Sequence, residues 1–301
     1  ATDGNIETNS AQVGIDVISL EEDSARKLDT KKSDSGETVV YNLDRLGVPL
    51  VEVATAPDVR SPEHAKETAL ALGRMLRDTR RVRRGLGSIR QDLNVSIACG
   101  DRVEIKGCQD LDWIPRIIRL ETARQLHFYR LANELRGEAE LPPLPPDREL
   151  DSKPVENRVQ LATSNRIPLD IHELSGIFSD CESEMVSSSI EAGSSVLGIA
   201  LPGFSGRLGK KTDIENGAQL PRLGRELASA AKLAGVPGIF HSDELPSYGI
   251  GSAEVDSVRN EMALSEGDAF VLCVAPRWQG ELALEAVVHR ARMAFHRIPQ
   301  E

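Results

Sequence analysis

Residues 87–107 read GSIRQDLNVSIACGDRVEIKG. Ile89, Gln91, Leu93, Val95 and Ile97 alternate with Ser88, Arg90, Asp92, Asn94 and Ser96, the period of a β-strand. After a turn at Cys99-Gly100-Asp101 the alternation resumes, with Val103 and Ile105 on one side and Arg102, Glu104 and Lys106 on the other. That is the pattern of a returning antiparallel strand. One face of the resulting hairpin is nearly all apolar and the other collects cations, carboxylates and a carboxamide. Such a mixture suits metal-bound phosphate held beside a reacting carboxylate. An antiparallel sheet with one solvated face gives the same alternation, so the pattern alone leaves both readings open.

Upstream, Val13–Leu20 reads as a strand running into the acidic triplet Glu21-Glu22-Asp23, within an otherwise polar and turn-rich first 35 residues. A second apolar strand spans Val48–Ala54. Ser61 then has the character of an N-cap, with Pro62 at the first helical position and Glu63 in the first turn. The helix is expected to run to about Thr79, with Ala65, Ala69, Leu72 and Leu76 as its packing stripe. Downstream, a helix over about 114–136 carries Ile114, Ile117, Ile118, Phe128, Leu131 and Leu135, with Gly137 as its stop. The segment after it contains Leu141-Pro142-Pro143-Leu144-Pro145-Pro146, too rich in proline for a helix interior, and reads as a linker. Beyond it come strands near 194–202 and 268–274, a helix near 222–234, turn glycines from Gly203 to Gly238, and a helical stretch Leu282–His296. The fold class is α+β. The expected organisation is a sheet-based domain over 1–137, a linker over 138–164, a second α+β domain over 165–281 and a helical return segment over 282–301.

The 301 residues carry a net charge of −11, with 40% hydrophobic and 28% charged side chains. This is an ordinary globular composition for roughly two domains. No apolar run approaches membrane-spanning length and no secretory pattern opens the chain, so no membrane contact and a cytoplasmic location are expected. Cys99, Cys108, Cys181 and Cys273 form no CxxC pair, which argues against a disulfide framework or structural zinc. The negative charge excludes a broad cationic nucleic-acid surface and leaves only local contacts. One local candidate is Arg74, Arg77, Arg80, Arg81, Arg83 and Arg84, running into the Gly85-Leu86-Gly87 turn. A solvated helix end favoured by the helix dipole is the competing reading.

Glu52 stands in an otherwise apolar strand, where an ionised carboxylate needs a cation or hydrogen-bond donors unless it faces solvent at a sheet edge. Magnesium would serve, with Glu21 as a second ligand. Lys106 and Arg90 suit phosphate, the one as a point charge and the other as a planar fork. Asp92 and Glu104 suit metal ligation, orientation of the cations, or simple ion pairing. No histidine lies in a hydrolase pattern, no GxSxG occurs, and Pro202–Lys210 lacks the spacing of a phosphate loop.

The order of these segments resembles a known family. Leu20–Asp23, Asn42–Val53, Pro57–Pro62, Ser88–Ser96 and Glu104-Ile105-Lys106 are similar to the kinase-like cradle of the tRNA-dependent amidotransferases, the family of the bacterial B and archaeal E subunits. Leu201–Phe204, Leu223–Leu227 and Gly238–Pro246 resemble the insertion domain that the archaeal E branch shares with bacterial aspartyl-tRNA synthetase. The resemblance implies an antiparallel-sheet cradle plus an α+β insertion domain. It also implies an ATP-dependent ligase that converts Glu-tRNA(Gln) to Gln-tRNA(Gln) through a γ-glutamyl phosphate. Glu21 and Glu52 would be the Mg2+ ligands, Arg90 and Lys106 would bind ATP phosphates, and Arg90, Asp92, Asn94 and Lys106 would form the catalytic floor. Ammonia would come from a partner, the asparaginase-like D subunit, and the other partner would be glutamate-charged tRNA(Gln). The Gly-Leu-Glu-Ile-His strand with which family members begin, and their helical and tail domains, have no match here. The expectation is therefore a fragment, weakly active or inactive alone, and the alternative is a non-catalytic tRNA-binding or scaffolding fragment of the same complex.

Overall fold

The computed structural model describes residues 2–33, 36–85, 87–214 and 219–297, with backbone alone at 32, 33, 36 and 37. Leu86 of the expected glycine turn and the last four residues of the expected return segment lie outside them. Two compact units emerge, one made of residues 1–93 and 105–119, the other of 94–104 and 120–301.

The first unit opens with β1 (Thr2–Glu7), β2 (Gln12–Glu22), β3 (Arg26–Ser33), β4 (Gly36–Asn42) and β5 (Pro49–Thr55), followed by α1 (Pro62–Asp78). β1, β2 and β5 form one antiparallel sheet in that order, and β3 pairs with β4 as a separate ribbon. Sequence reading found β2 and β5 but not β1, β3 or β4; the residues of β1 and β3 are mostly polar. β1 forms because Ile6 sits opposite Val13, and together with Ile15 these side chains make the core of the unit. α1 closes that core with Ala71 and Leu72. Its start is the expected one: the Ser61 side chain accepts from the His64 backbone N–H at 3.1 Å, and Pro62 follows. Its buried face also includes His64 and Thr68, which no apolar stripe could reveal. His64 Nε2 lies 3.1 Å from Thr8 Oγ1, and Thr68 Oγ1 donates to the His64 carbonyl. Both polar groups are therefore satisfied despite burial.

The expected long hairpin is shorter than its sequence pattern. β6 (Leu93–Val95) pairs with β7 (Val103–Ile105), and residues 88–92 are irregular. Gly85 and Gly87 take positive φ, the Ser88 hydroxyl donates to the Gly85 carbonyl, and the Gln91 side chain donates to the Cys108 carbonyl at 2.9 Å. These local bonds replace the ladder. The two faces nevertheless survive, since Ile89, Gln91, Leu93, Val95, Ile97, Val103 and Ile105 are buried or half-buried, whereas Ser88, Arg90, Asp92, Asn94, Ser96, Arg102, Glu104 and Lys106 are exposed.

A long helix, α2 (Ile114–Glu138), runs on through Gly137. Glu140, with φ 55°, makes the left-handed turn, and the Leu141 N–H returns to the Arg136 carbonyl at 2.8 Å. The proline-rich stretch follows, and α3 (Lys153–Arg166) covers the second half of the range read as a linker. The rest of the second unit contains β8 (His172–Glu173), α4 (Glu184–Glu191), β9 (Ser195–Leu201), α5 (Leu223–Lys232), β10 (Phe240–His241), α6 (Ser252–Glu261), β11 (Ala269–Ala275) and α7 (Arg277–Met293). Its antiparallel sheet has the order β10-β11-β9-β8. β9 and β11 are buried almost throughout, with Phe178, Val186, Val196, Val258, Phe270 and Leu272 in one cluster. The buried stripe of α7, Ala283, Leu284, Val287, Val288 and Ala291, also serves this unit. α7 starts five residues before the expected helix. Gly280 falls inside it, and a Cβ there would lie 2.9 Å from Leu197 Cδ1, so a larger residue would have to displace that side chain of β9. The α+β class with antiparallel sheets holds. No described helix is long and apolar enough to cross a membrane.

Candidate functional site

In the first unit, β2 and β5 place Ser19 opposite Glu52 and Glu21 opposite Leu50, so Glu21 and Glu52 are diagonal neighbours on one face of the sheet. β5 is an edge strand and Glu52 is exposed, so desolvation does not compel it to find a cation. Its partners are Ser19 Oγ, which donates to Oε2 at 3.3 Å, and Glu21. A hydrogen bond between the two carboxyls and the negative charge of Glu52 raise the pKa of Glu21 above the usual carboxylate range. Two neighbouring carboxylates whose charges repel form a site that a cation would relieve.

Asp23, two residues past Glu21, is buried at 8% exposure and was not singled out by the sequence beyond its place in the acidic triplet. Its Oδ2 lies 3.5 Å from Arg45 Nε and 3.5 Å from Arg90 Nη2. The loop over 43–48 is tied to it by backbone bonds, Asp23 N–H to the Val48 carbonyl and Gly47 N–H to the Asp23 carbonyl. Asp23 thus pairs with two guanidiniums that come from distant points of the chain. Two residues beyond Arg90, Asp92 Oδ2 accepts from Lys106 Nζ at 3.4 Å. The structure therefore brings together Glu21 with Glu52, Arg90 with Asp23, and Lys106 with Asp92. Asn94 is exposed on β6 and belongs to the second unit. Among the described residues no group of three or more His, Cys, Asp or Glu side chains could hold a metal ion. A carboxylate pair still fits magnesium, which takes one or two carboxylates and fills its other positions with water and phosphate oxygens.

Residues 1–167 match the family model described as the GatB/GatE catalytic domain, and residues 186–283 match the GAD domain. The chain belongs to the GatB/GatE family. Proteins named as the E subunit of glutamyl-tRNA(Gln) amidotransferase are similar to it over all of its length. The one from Pyrococcus furiosus is 44% identical over 301 residues, the one from Methanosarcina acetivorans 42% over 301, and the one from Methanocaldococcus jannaschii 41% over 303. The chain spans 43%, 42% and 43% of those relatives, respectively. Glu21, Asp23, Arg45, Glu52, Arg90, Asp92 and Lys106 lie in the first unit, Asn94 and Glu104 in the second, and all of them fall within the GatB/GatE match.

Proposed function

We propose that this chain is the carboxylate-activating part of a tRNA-dependent amidotransferase, which converts Glu-tRNA(Gln) to Gln-tRNA(Gln) with ATP. The observation that carries the reading is the exposed Glu21–Glu52 pair with its raised Glu21 carboxyl, in the same unit as two anchored cations and in a chain of this family. A carboxylate is a poor electrophile, so the γ-carboxyl of the tRNA-bound glutamate must first accept a phosphoryl group from ATP; ammonia then attacks the acyl carbon and phosphate leaves with one former carboxyl oxygen. In this reading Glu21 and Glu52 hold magnesium, which when bound neutralises charge on the transferring phosphoryl group. Arg90, oriented by Asp23, and Lys106, oriented by Asp92, balance the phosphate charge. Residues 1–137 would be part of a kinase-like cradle, joined through a linker at 138–164 to an insertion domain at 165–281 and a return segment at 282–301. Ammonia would come from an asparaginase-like D subunit, in the cytoplasm.

The test is Glu-to-Gln conversion on the tRNA with Mg-ATP and ammonium, with and without that partner. Glu52→Gln should abolish conversion, leave tRNA binding nearly unchanged, and return the Glu21 carboxyl toward its ordinary titration in a carbon-13 NMR experiment. Undiminished conversion in that variant would overturn the metal assignment. Binding of tRNA without conversion by the parent chain in the presence of its partner would make it a scaffolding fragment.

A further inference from the structure

Residues 74–84 carry six arginines, Arg74, Arg77, Arg80, Arg81, Arg83 and Arg84, against one aspartate, in a chain whose net charge is −11. All six are exposed. None of their guanidiniums makes an ion pair or a hydrogen bond to a described residue. Other charged groups of the same unit behave differently. Lys66 pairs with Asp112 at 2.5 Å, Arg119 with Glu63, and Arg45 and Arg90 with Asp23, while Glu67 accepts from Ser10 and the Asn9 backbone.

A helix dipole does not account for the cluster. α1 ends at Asp78, and only Arg77 is a basic residue of its last turn. The dipole effect falls off within that turn, whereas Arg80, Arg81, Arg83 and Arg84 lie beyond it. Arg80 takes φ 59° and Gly85 φ 118°, so the chain turns twice within a few residues while keeping its guanidiniums in solvent. Like charges this dense repel one another and cost stability unless an anionic partner offsets them. Guanidinium forks match phosphate bidentately, and unpaired ones break no internal bond on docking. The segment holds no aromatic residue for base stacking; its apolar members are Met75, Leu76 and Val82.

We propose that residues 74–84 form a docking surface for the RNA phosphate backbone, contacted without regard to base sequence. Six residues after Arg84 the chain reaches Arg90, held by Asp23. Backbone phosphates bound at 74–84 would therefore deliver an RNA end toward the carboxylate pair, a consequence that rests on the function proposed above.

The experiment measures binding of an uncharged tRNA transcript to the full 301-residue chain by fluorescence anisotropy, without ATP, over a series of KCl concentrations. Replacing Arg80, Arg81, Arg83 and Arg84 together by Gln should weaken binding about tenfold or more and flatten the slope of log K against log salt by about 3, near one for each phosphate no longer neutralised. Replacing the same four by Lys should keep the slope, which separates loss of charge from loss of fold. Lys153→Gln with Arg158→Gln, two exposed cations elsewhere, should change neither quantity. Unchanged affinity and slope in the Gln variant, an equal loss in the control, or poly-glutamate binding as tightly as tRNA would each overturn the assignment. Because no nucleotide is present, failure of amidation leaves this result standing, and failure here leaves the carboxylate site standing.

Discussion

Arg136 is the largest side chain in the second unit that is fully buried, and removing its charge tests how that unit is held. Its Nε donates to the Phe295 carbonyl at 2.6 Å, Nη1 to the Pro142 carbonyl at 2.9 Å, and Nη2 to Glu156 Oε2 at 2.5 Å. The guanidinium therefore ties α2 to the proline-rich segment, α3 and the end of α7. Arg136→Met keeps an unbranched, shorter side chain but leaves the buried Phe295 carbonyl without its donor, at about 1–3 kcal/mol, while the carbonyl of the exposed Pro142 can turn to water. Glu156 is 24% exposed and lies 3.1 Å from His296 Nδ1, so it rehydrates in part and adds less than a fully buried orphan would. Relief of the arginine's own desolvation and the apolar burial of Met offset a fraction, for a net loss of about 1–3 kcal/mol. Urea unfolding followed by far-ultraviolet circular dichroism measures it. His296 supplies a second readout. Burial lowers its pKa, Glu156 opposes that shift, and the positive charge of Arg136 adds to it, so in the Met variant its NMR titration should move up. A loss under about 1 kcal/mol would refute the inference that these three bonds close the unit, since that is the size of an ordinary single hydrogen bond.

Acid should weaken the second unit through Glu226, whose Oε2 lies 2.8 Å from Arg290 and which also pairs with Arg124. Burial pushes its pKa up, but the two guanidiniums more than compensate and hold it below 4.5. Its contribution is then complete above pH 4.5 and lost as pH falls through the folded value. The stability difference between the parent and Glu226→Gln should be constant near neutrality and shrink below pH 4.5. A difference that grows on acidification would contradict it. Gly224→Ala should lower Tm by about 5 °C, the equivalent of about 2 kcal/mol of overpacking. A Cβ there falls 2.4 Å from His241 Nε2 and 2.9 Å from the Leu208 carbonyl, which is held by the Gly224 N–H at 3.0 Å and cannot swing away. Differential scanning calorimetry decides it, and an unchanged Tm would show that the α5 terminus shifts freely.

Periodicity and capping are local, so the sequence by itself determined the elements that depend on neighbours: the Ser61-Pro62 start of α1, the buried β9 and β11, and the two faces of the 87–107 segment. Its order of motifs also placed the chain in its family. It could not supply partners distant in sequence. β1 exists because Ile6 meets Val13 and Ile15, and α1 buries His64 and Thr68 because Thr8 and a backbone carbonyl satisfy them. Gly137 looked like a stop, but the left-handed turn went to Glu140. The carboxylates Glu21 and Glu52 are visible as residues, yet only the β2–β5 register makes them diagonal neighbours whose charges interact. Asp23 was one member of an acidic triplet until the fold set two guanidiniums 3.5 Å from it. Coulomb energies and hydrogen bonds depend on distance in space, and that distance is fixed only when strands far apart in the chain have paired.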